Sequence, residues 1–219
     1  MTLELAEIKA RSSKLLHTLP EGVTLIAVTK YATPEMMRWA YAGGIRHFGE
    51  NRVQDAKSKQ ELLSDLQDVT WHFIGHLQSN KTRTALQMFD WIHSIDRLSL
   101  AEQINDLLPK LDRPRHFCLQ VRMAEDQDKS GWYPHQLNQD LTKLQQLTHL
   151  SIEGLMTILP LGTRGEQALT LFRGLKELAQ ELQPIFPQLH HLSMGMSGDY
   201  PEALKAGATM IRVGSYLFQ

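Results

Sequence analysis

Apolar residues, many of them β-branched or aromatic, recur along the chain in eight short runs: 23–29 (VTLIAVT), 45–48 (IRHF), 71–75 (WHFIG), 91–95 (WIHSI), 116–123 (HFCLQVRM), 152–158 (IEGLMTI), 189–194 (LHHLSM) and 210–214 (MIRVG). Each has the length and composition of a strand. In the first, Leu25, Ile26, Ala27 and Val28 leave no polar position, as in a strand buried on both faces. Longer segments with helical spacing and helix punctuation lie between the runs. "TPEMMRWAYAGG" opens on Thr33 and Pro34, an N-cap and first helical residue, and closes on Gly43 and Gly44. "SLAEQINDLLPKL" sets Ser99 three residues before Glu102, a capping-box pattern, and "YPEALKAGA" carries Pro201 early and Gly207 at its stop.

Strands alternating with helices call for parallel pairing through right-handed crossovers. Eight such units predict an α/β fold, a single closed (β/α)₈ TIM-type barrel over 1–219 with an extra N-terminal helix. An open doubly wound sheet is the competing architecture. No linker, low-complexity tract or charge run divides the chain. The opening "MTLELAEIKARSSK" carries Glu4 and Glu7 and reads as an amphipathic helix, not a signal peptide. No apolar run approaches the length of a membrane span.

Composition adds bounds to this picture. A hydrophobic fraction of 42% over 219 residues suits a sizeable core, and a net charge of -1 gives no global field favouring nucleic acid or an anionic membrane. Cys118 is the only cysteine, so no intrachain disulfide forms and a reducing compartment is compatible. The expected location is the cytoplasm. No contiguous apolar face stands out, and a monomer is expected.

In a barrel, ligands bind where strands end and βα loops begin. Lys30 falls at the end of the first strand. Its ammonium either snorkels to solvent or is desolvated at the barrel mouth into a carbonyl nucleophile. After strand 7, "SMGMSGDY" offers Ser193, Ser197 and Gly198 just before a helix. At the end of strand 8, "RVGSYLF" offers Arg212, Gly214 and Ser215. Barrels commonly seat a phosphate in these two loops, and strand 8 closes on strand 1. Small residues also serve tight turns, so each fragment alone is weak. Together with Lys30 they point to a phosphorylated carbonyl compound bound covalently to lysine.

Other residues carry less. His72 and His76 are four apart, but on a strand ending at Gly75 they need not converge, and no nearby carboxylate or cysteine completes a metal set. His190 and His191 point to opposite strand faces. No metal site and no Ser-His-Asp triad are expected. Lys81 and Arg83 in "SNKTRTAL" either steer an anion or form a solvated face, and the four Trp residues read as packing.

"AVTK", "FGENRVQDAKSK", "WHFIGHLQSNK", "SMGMSGDYPEAL" and "IRVGSYLF" occur in this order. Together they closely resemble the YggS/PROSC family of pyridoxal phosphate homeostasis proteins, over nearly the whole chain. The resemblance implies a fold-type III barrel like the N-terminal domain of alanine racemase. It implies pyridoxal phosphate held as an aldimine on Lys30, with Asn51 beside the ring, His72 bordering the pocket and Met156 on the ring side. Ser193, Ser197 and Gly198 would face the phosphate, with Gly214 and Ser215 completing its cradle. Arg212 would approach the pyridine nitrogen, and since a guanidinium cannot accept that nitrogen's proton, the ring would stay unprotonated.

The family's last motif usually runs on to a glycine after phenylalanine, whereas this chain ends Phe218-Gln219. An alanine racemase also continues into a β-rich domain that supplies a catalytic tyrosine, and this sequence stops as the barrel closes. Two-base racemisation would then lack half its equipment, so no catalytic residue is assigned. The expected function is non-catalytic: reversible holding of pyridoxal phosphate in vitamin B6 and amino-acid homeostasis, with delivery to apoenzymes. A slow racemase, transaminase or decarboxylase is the rival, and a regulatory protein reporting on B6 status is compatible with the same residues. "EDQDKSGW" either covers the pocket, through the family's K-x-G element at Lys129 and Gly131, or is a solvated loop.

Overall fold

The computed structural model of the protein describes residues 2–112, 115–126 and 129–219. Eight parallel strands close into a barrel in sequence order: β1 (Thr24–Val28), β2 (His47–Glu50), β3 (Thr70–Phe73), β4 (Trp91–Ile95), β5 (His116–Gln120), β6 (Ile152–Met156), β7 (His191–Ser193) and β8 (Met210–Val213). Closure is made by β1, where Ile26 lies opposite His47 of β2 on one side and Arg212 of β8 on the other. The open doubly wound alternative is thereby excluded.

Helices α1 (Thr2–Thr18), α2 (Pro34–Ala42), α3 (Val53–Leu62), α4 (Thr82–Met88), α5 (Leu98–Leu107), α6 (Pro134–Gln145), α7 (Gly165–Leu182), α8 (Tyr200–Ala206) and α9 (Ser215–Phe218) surround the strands. Among the described residues no helix is long and apolar enough to cross a membrane.

The strand period of two sorts the side chains into two sets. Leu25, Ala27, Phe48, Phe73, Ile92 and Leu119 are buried in the main core with the helices. Ile26, Trp91, Cys118, Met156 and Met210 form a separate, smaller cluster. His72, His93 and Ser193 are wholly buried, and Arg212 is 2% exposed. Barrel interiors are usually filled by bulky branched residues, so this polar set requires an account of its hydrogen bonds.

The local signals behave as expected at most ends. Thr33 Oγ1 accepts the Met36 amide at 3.2 Å, with Pro34 opening α2. Gly207 ends α8 with φ 98°, a left-handed conformation that glycine adopts without penalty. The capping box at Ser99 does not form. Helix α5 begins one residue earlier, capped by Arg97, whose carbonyl accepts the Leu100 and Ala101 amides, so Ser99 lies within the first turn. The second strand runs 47–50 rather than 45–48, because the Ile45 amide is still bonded to Ala40 at the end of α2. The fifth stops at Gln120, beyond which Val121 bridges to Trp132.

Candidate active-site mouth

Lys30 stands two residues beyond β1, not at its end, and its side chain is exposed. The turn before it is fixed from below. Thr29 is fully buried, its Oγ1 donates to Glu50 Oε1, and its carbonyl accepts Lys59 Nζ at 2.6 Å. That anchor leaves the next residue outside the packed layer. The strong desolvation considered for Lys30 is therefore not met; its ammonium lies 5.0 Å from the Tyr31 ring centroid at the rim.

Loops from β7 and β8 line the same cavity as Lys30. The Gly214 amide donates to Ser197 Oγ at 3.2 Å, which ties the two loops together. Lys30, Ser197, Gly198, Arg212, Gly214 and Ser215 all line one cavity of about 510 Å³. No aspartate or glutamate side chain is among its lining residues. An amine, a buried guanidinium, hydroxyls and glycine backbone around a cavity without Asp or Glu side chains form a donor set suited to an anion beside an amine nucleophile. A Cβ added at Gly198 would meet nothing within 4 Å, so the backbone there faces open space.

A second cavity of about 260 Å³ shares Lys30, Arg212 and Met196 with the first and adds Asn51 and Gly75. Asn51 is placed by contact with Gly75, where any Cβ would strike the Asn51 backbone. Lys129 and Ser130 also line this cavity, and Gln120 Nε2 donates to the Ser130 carbonyl at 2.8 Å. Lys129 and Ser130 of the loop after β5 therefore reach this cavity; residues 127 and 128 of the same loop lie outside the described residues.

Three expected pocket residues are elsewhere. Met156 is fully buried in the interior cluster with Trp91 and Cys118. His72 does not border either cavity; it is fully buried, its ring bonded to His47 and His93. Ser193 is likewise buried, and its Oγ accepts from Arg212 Nη1 at 2.7 Å instead of facing the cavity. All three side chains are turned into the filled barrel interior, and neither the strand-terminal Met156 and Ser193 nor His72 lines either cavity.

Arg212 is the electrostatic centre of the floor. Its Nη2 donates to the Thr157 carbonyl at 2.8 Å. Burial pushes its pKa down to about 10, with the nearby Asp199 charge acting the other way. It remains a cation and a donor at neutral pH. Asp199 itself is raised by burial, and its Oδ1 accepts the Met196 amide at 2.6 Å. Thr157, His93 and Gln120 were not anticipated at or beneath the site. For His93 and Gln120 the available signal is a polar residue inside an otherwise apolar strand, at β4 and β5.

A (β/α)₈ barrel with a lysine on the loop after β1 and a cavity lined from the loops after β7 and β8 is organised like the barrel domains of fold-type III proteins. Comparison with known proteins agrees. Residues 3–219 match the family model described as alanine racemase, N-terminal domain. A pyridoxal phosphate homeostasis protein of Synechocystis sp. is 48% identical over 94% of this chain and 95% of that protein. Its Escherichia coli namesake is 35% identical over 91% of this chain and 86% of that protein. The chain belongs to the pyridoxal phosphate homeostasis protein family, within the alanine racemase N-terminal domain group.

Among solved structures, PipY of Synechococcus elongatus with pyridoxal phosphate bound superposes with a TM-score of 0.90 at 47% identity, over 97% of this chain and 100% of that one. The alanine racemase of E. faecalis matches with a TM-score of 0.67 at 18% identity, over 97% of this chain and 57% of the racemase, a likeness of fold alone.

Proposed function

We propose that this protein binds pyridoxal phosphate reversibly and without turnover, as a covalent imine of Lys30, and serves vitamin B6 and amino-acid homeostasis. The observation carrying this reading is one cavity lined together by Lys30, Ser197, Gly198, Arg212, Gly214 and Ser215. Pyridoxal phosphate supplies an aldehyde that condenses with an amine and a dianionic phosphate that needs such a cradle. Arg212 presents only donors, so it would leave a facing pyridine nitrogen unprotonated and a poor electron sink.

Exposure of Lys30 suits a holding role, because water or a competing amine can reach the bond that retains the cofactor. Delivery to apoenzymes or to a regulatory partner, action as a monomer and a cytoplasmic location belong to the same proposal. The test begins with the visible spectrum of the protein mixed with pyridoxal phosphate, followed by borohydride reduction and peptide mapping. A pyridoxyl adduct on Lys30, with no racemase, transaminase or decarboxylase turnover across an amino-acid panel, is the expected result. A protein that takes up no cofactor, or fixes it at another lysine, overturns the assignment.

A further inference from the structure

Five polar residues of the barrel strands form one continuous file. His47 Nδ1 meets His72 Nε2 at 2.9 Å, His72 Nδ1 meets His93 Nε2 at 2.9 Å, and His93 Nδ1 meets Ser193 Oγ at 2.9 Å. Arg212 Nη1 then donates to the same Ser193 Oγ at 2.7 Å. The file starts at half-buried His47, at the first residue of β2, and ends under the cavity floor. No group of three His, Cys, Asp or Glu among the described residues is arranged to hold a metal ion.

The proton positions in this file follow from its one fixed end. A guanidinium only donates, so Ser193 Oγ must accept from Arg212. Ser193 is fully buried, and its hydroxyl proton has to find an acceptor. Among the described residues the only other partner of Ser193 Oγ is His93 Nδ1. His93 Nδ1 is therefore unprotonated, its Nε2 carries the proton and donates to His72 Nδ1, and His72 Nε2 in turn donates to His47 Nδ1. One cation thus sets three tautomers.

We propose that His47, His72 and His93 form a polarised hydrogen-bond relay that holds Ser193 as the acceptor for Arg212, making His93 the positioning residue for the cation beneath the cofactor pocket. The proposal rests on the reading of the cavity as a pyridoxal phosphate site. A protonated His93 would present Nδ1–H to Ser193 and strip the hydroxyl of its acceptor, so the relay works only with neutral rings. The surroundings favour that state. Burial, then the neighbouring histidines, push His72 well below the ordinary range, and burial, then Arg212 and His191, do the same to His93. His116, His191, Glu153, Cys118, Asp90 and Asp199 are the other titratable groups around the file and Arg212.

Heteronuclear imidazole spectra of the nitrogen-labelled protein, recorded without cofactor near neutral pH, read each tautomer directly. The expected result is Nε2–H with bare Nδ1 for both His72 and His93; a proton on His93 Nδ1 overturns the relay. Pyridoxal phosphate titrations of wild type, His93→Leu and His93→Asn give the second arm, with folding checked by circular dichroism. His93→Leu should weaken retention about tenfold, the scale of a hydrogen bond to a charged group. His93→Asn, whose Oδ1 can replace Nδ1 as acceptor, should recover most of it. Unchanged affinity in His93→Leu, or equal loss in both variants, overturns the positioning role. Wild-type protein that takes up no cofactor sinks the pocket assignment alone, because the tautomers are read without cofactor.

Discussion

Lys59 Nζ lies 2.7 Å from Glu50 Oε1, and this buried pair joins α3 to the end of β2 directly beneath the turn that carries Lys30. The Glu50 side chain is wholly buried and the Lys59 side chain is 11% exposed. Thr29 completes the cluster by donating its hydroxyl to the same carboxylate oxygen. Removing one member leaves an uncompensated buried charge, which typically costs about 3–5 kcal/mol. Lys59→Met and Glu50→Gln should both lower the urea midpoint, and Lys59→Met the more, since it strands the carboxylate. They should also slow adduct formation at Lys30. Stability within about 0.5 kcal/mol of wild type in Lys59→Met would show that the pair does not anchor the turn.

Substitutions around the cavity should separate attachment from retention. Lys30→Ala removes an exposed side chain with no hydrogen bond of its own among the described residues, so the fold should persist while the reducible adduct disappears. Arg212→Leu and Ser197→Ala should instead weaken retention by roughly tenfold or more, with the adduct still forming at high cofactor concentration. Mass spectrometry after borohydride treatment across a cofactor titration distinguishes the two patterns.

Stability should fall as the solution is acidified below the ordinary histidine range. His72 and His93 have depressed affinities for protons in the native state, chiefly through burial. Unfolding frees both rings to bind protons, so the unfolded state carries more of them below about pH 6.5. Their contribution is fully present above that value and is lost as pH drops, at up to about 1.4 kcal/mol per pH unit for each ring. Denaturation midpoints should therefore decline between about pH 6.5 and 5, before carboxylates titrate. A flat midpoint over that window would mean that neither ring is neutral by necessity.

Cys118 should be silent in the folded protein. It is fully buried on β5, and burial pushes its thiol far above the ordinary range, so almost no thiolate is available. A disulfide-exchange reagent should label nothing under native conditions and one thiol per chain in denaturant, at a rate tracking unfolding. Rapid native labelling would contradict the closed interior around Trp91 and Met156.

Much of the architecture is legible without coordinates, because it is encoded over short distances. Eight apolar runs became eight strands, and Pro34, Pro201 and Gly207 mark helix ends through their own backbone limits. The proposed cradle is equally local. Ser197 and Gly198 lie in one loop, Gly214 and Ser215 in another, and barrel order alone makes the two loops neighbours. Ser99 shows the limit of such signals: its capping pattern was outcompeted by Arg97, whose guanidinium is held by Asp96 and the Leu77 carbonyl.

What lies inside the barrel was decided only by closure. His93 and Ser193 are 100 residues apart, and Arg212 reaches the Thr157 carbonyl across 55. No window of sequence contains both partners, and an isolated histidine or serine in an apolar run has no local signature of what it will meet. Lys30 is the same case in reverse. Its position after an apolar run left exposure and desolvation both open, and its exposure follows from Glu50 and Lys59 capturing Thr29 from 21 and 30 residues away. Periodicity determined which residues face in or out; the tertiary fold alone decided which inward polar groups would satisfy one another, because buried hydrogen bonds depend on distances that only the closed sheet creates.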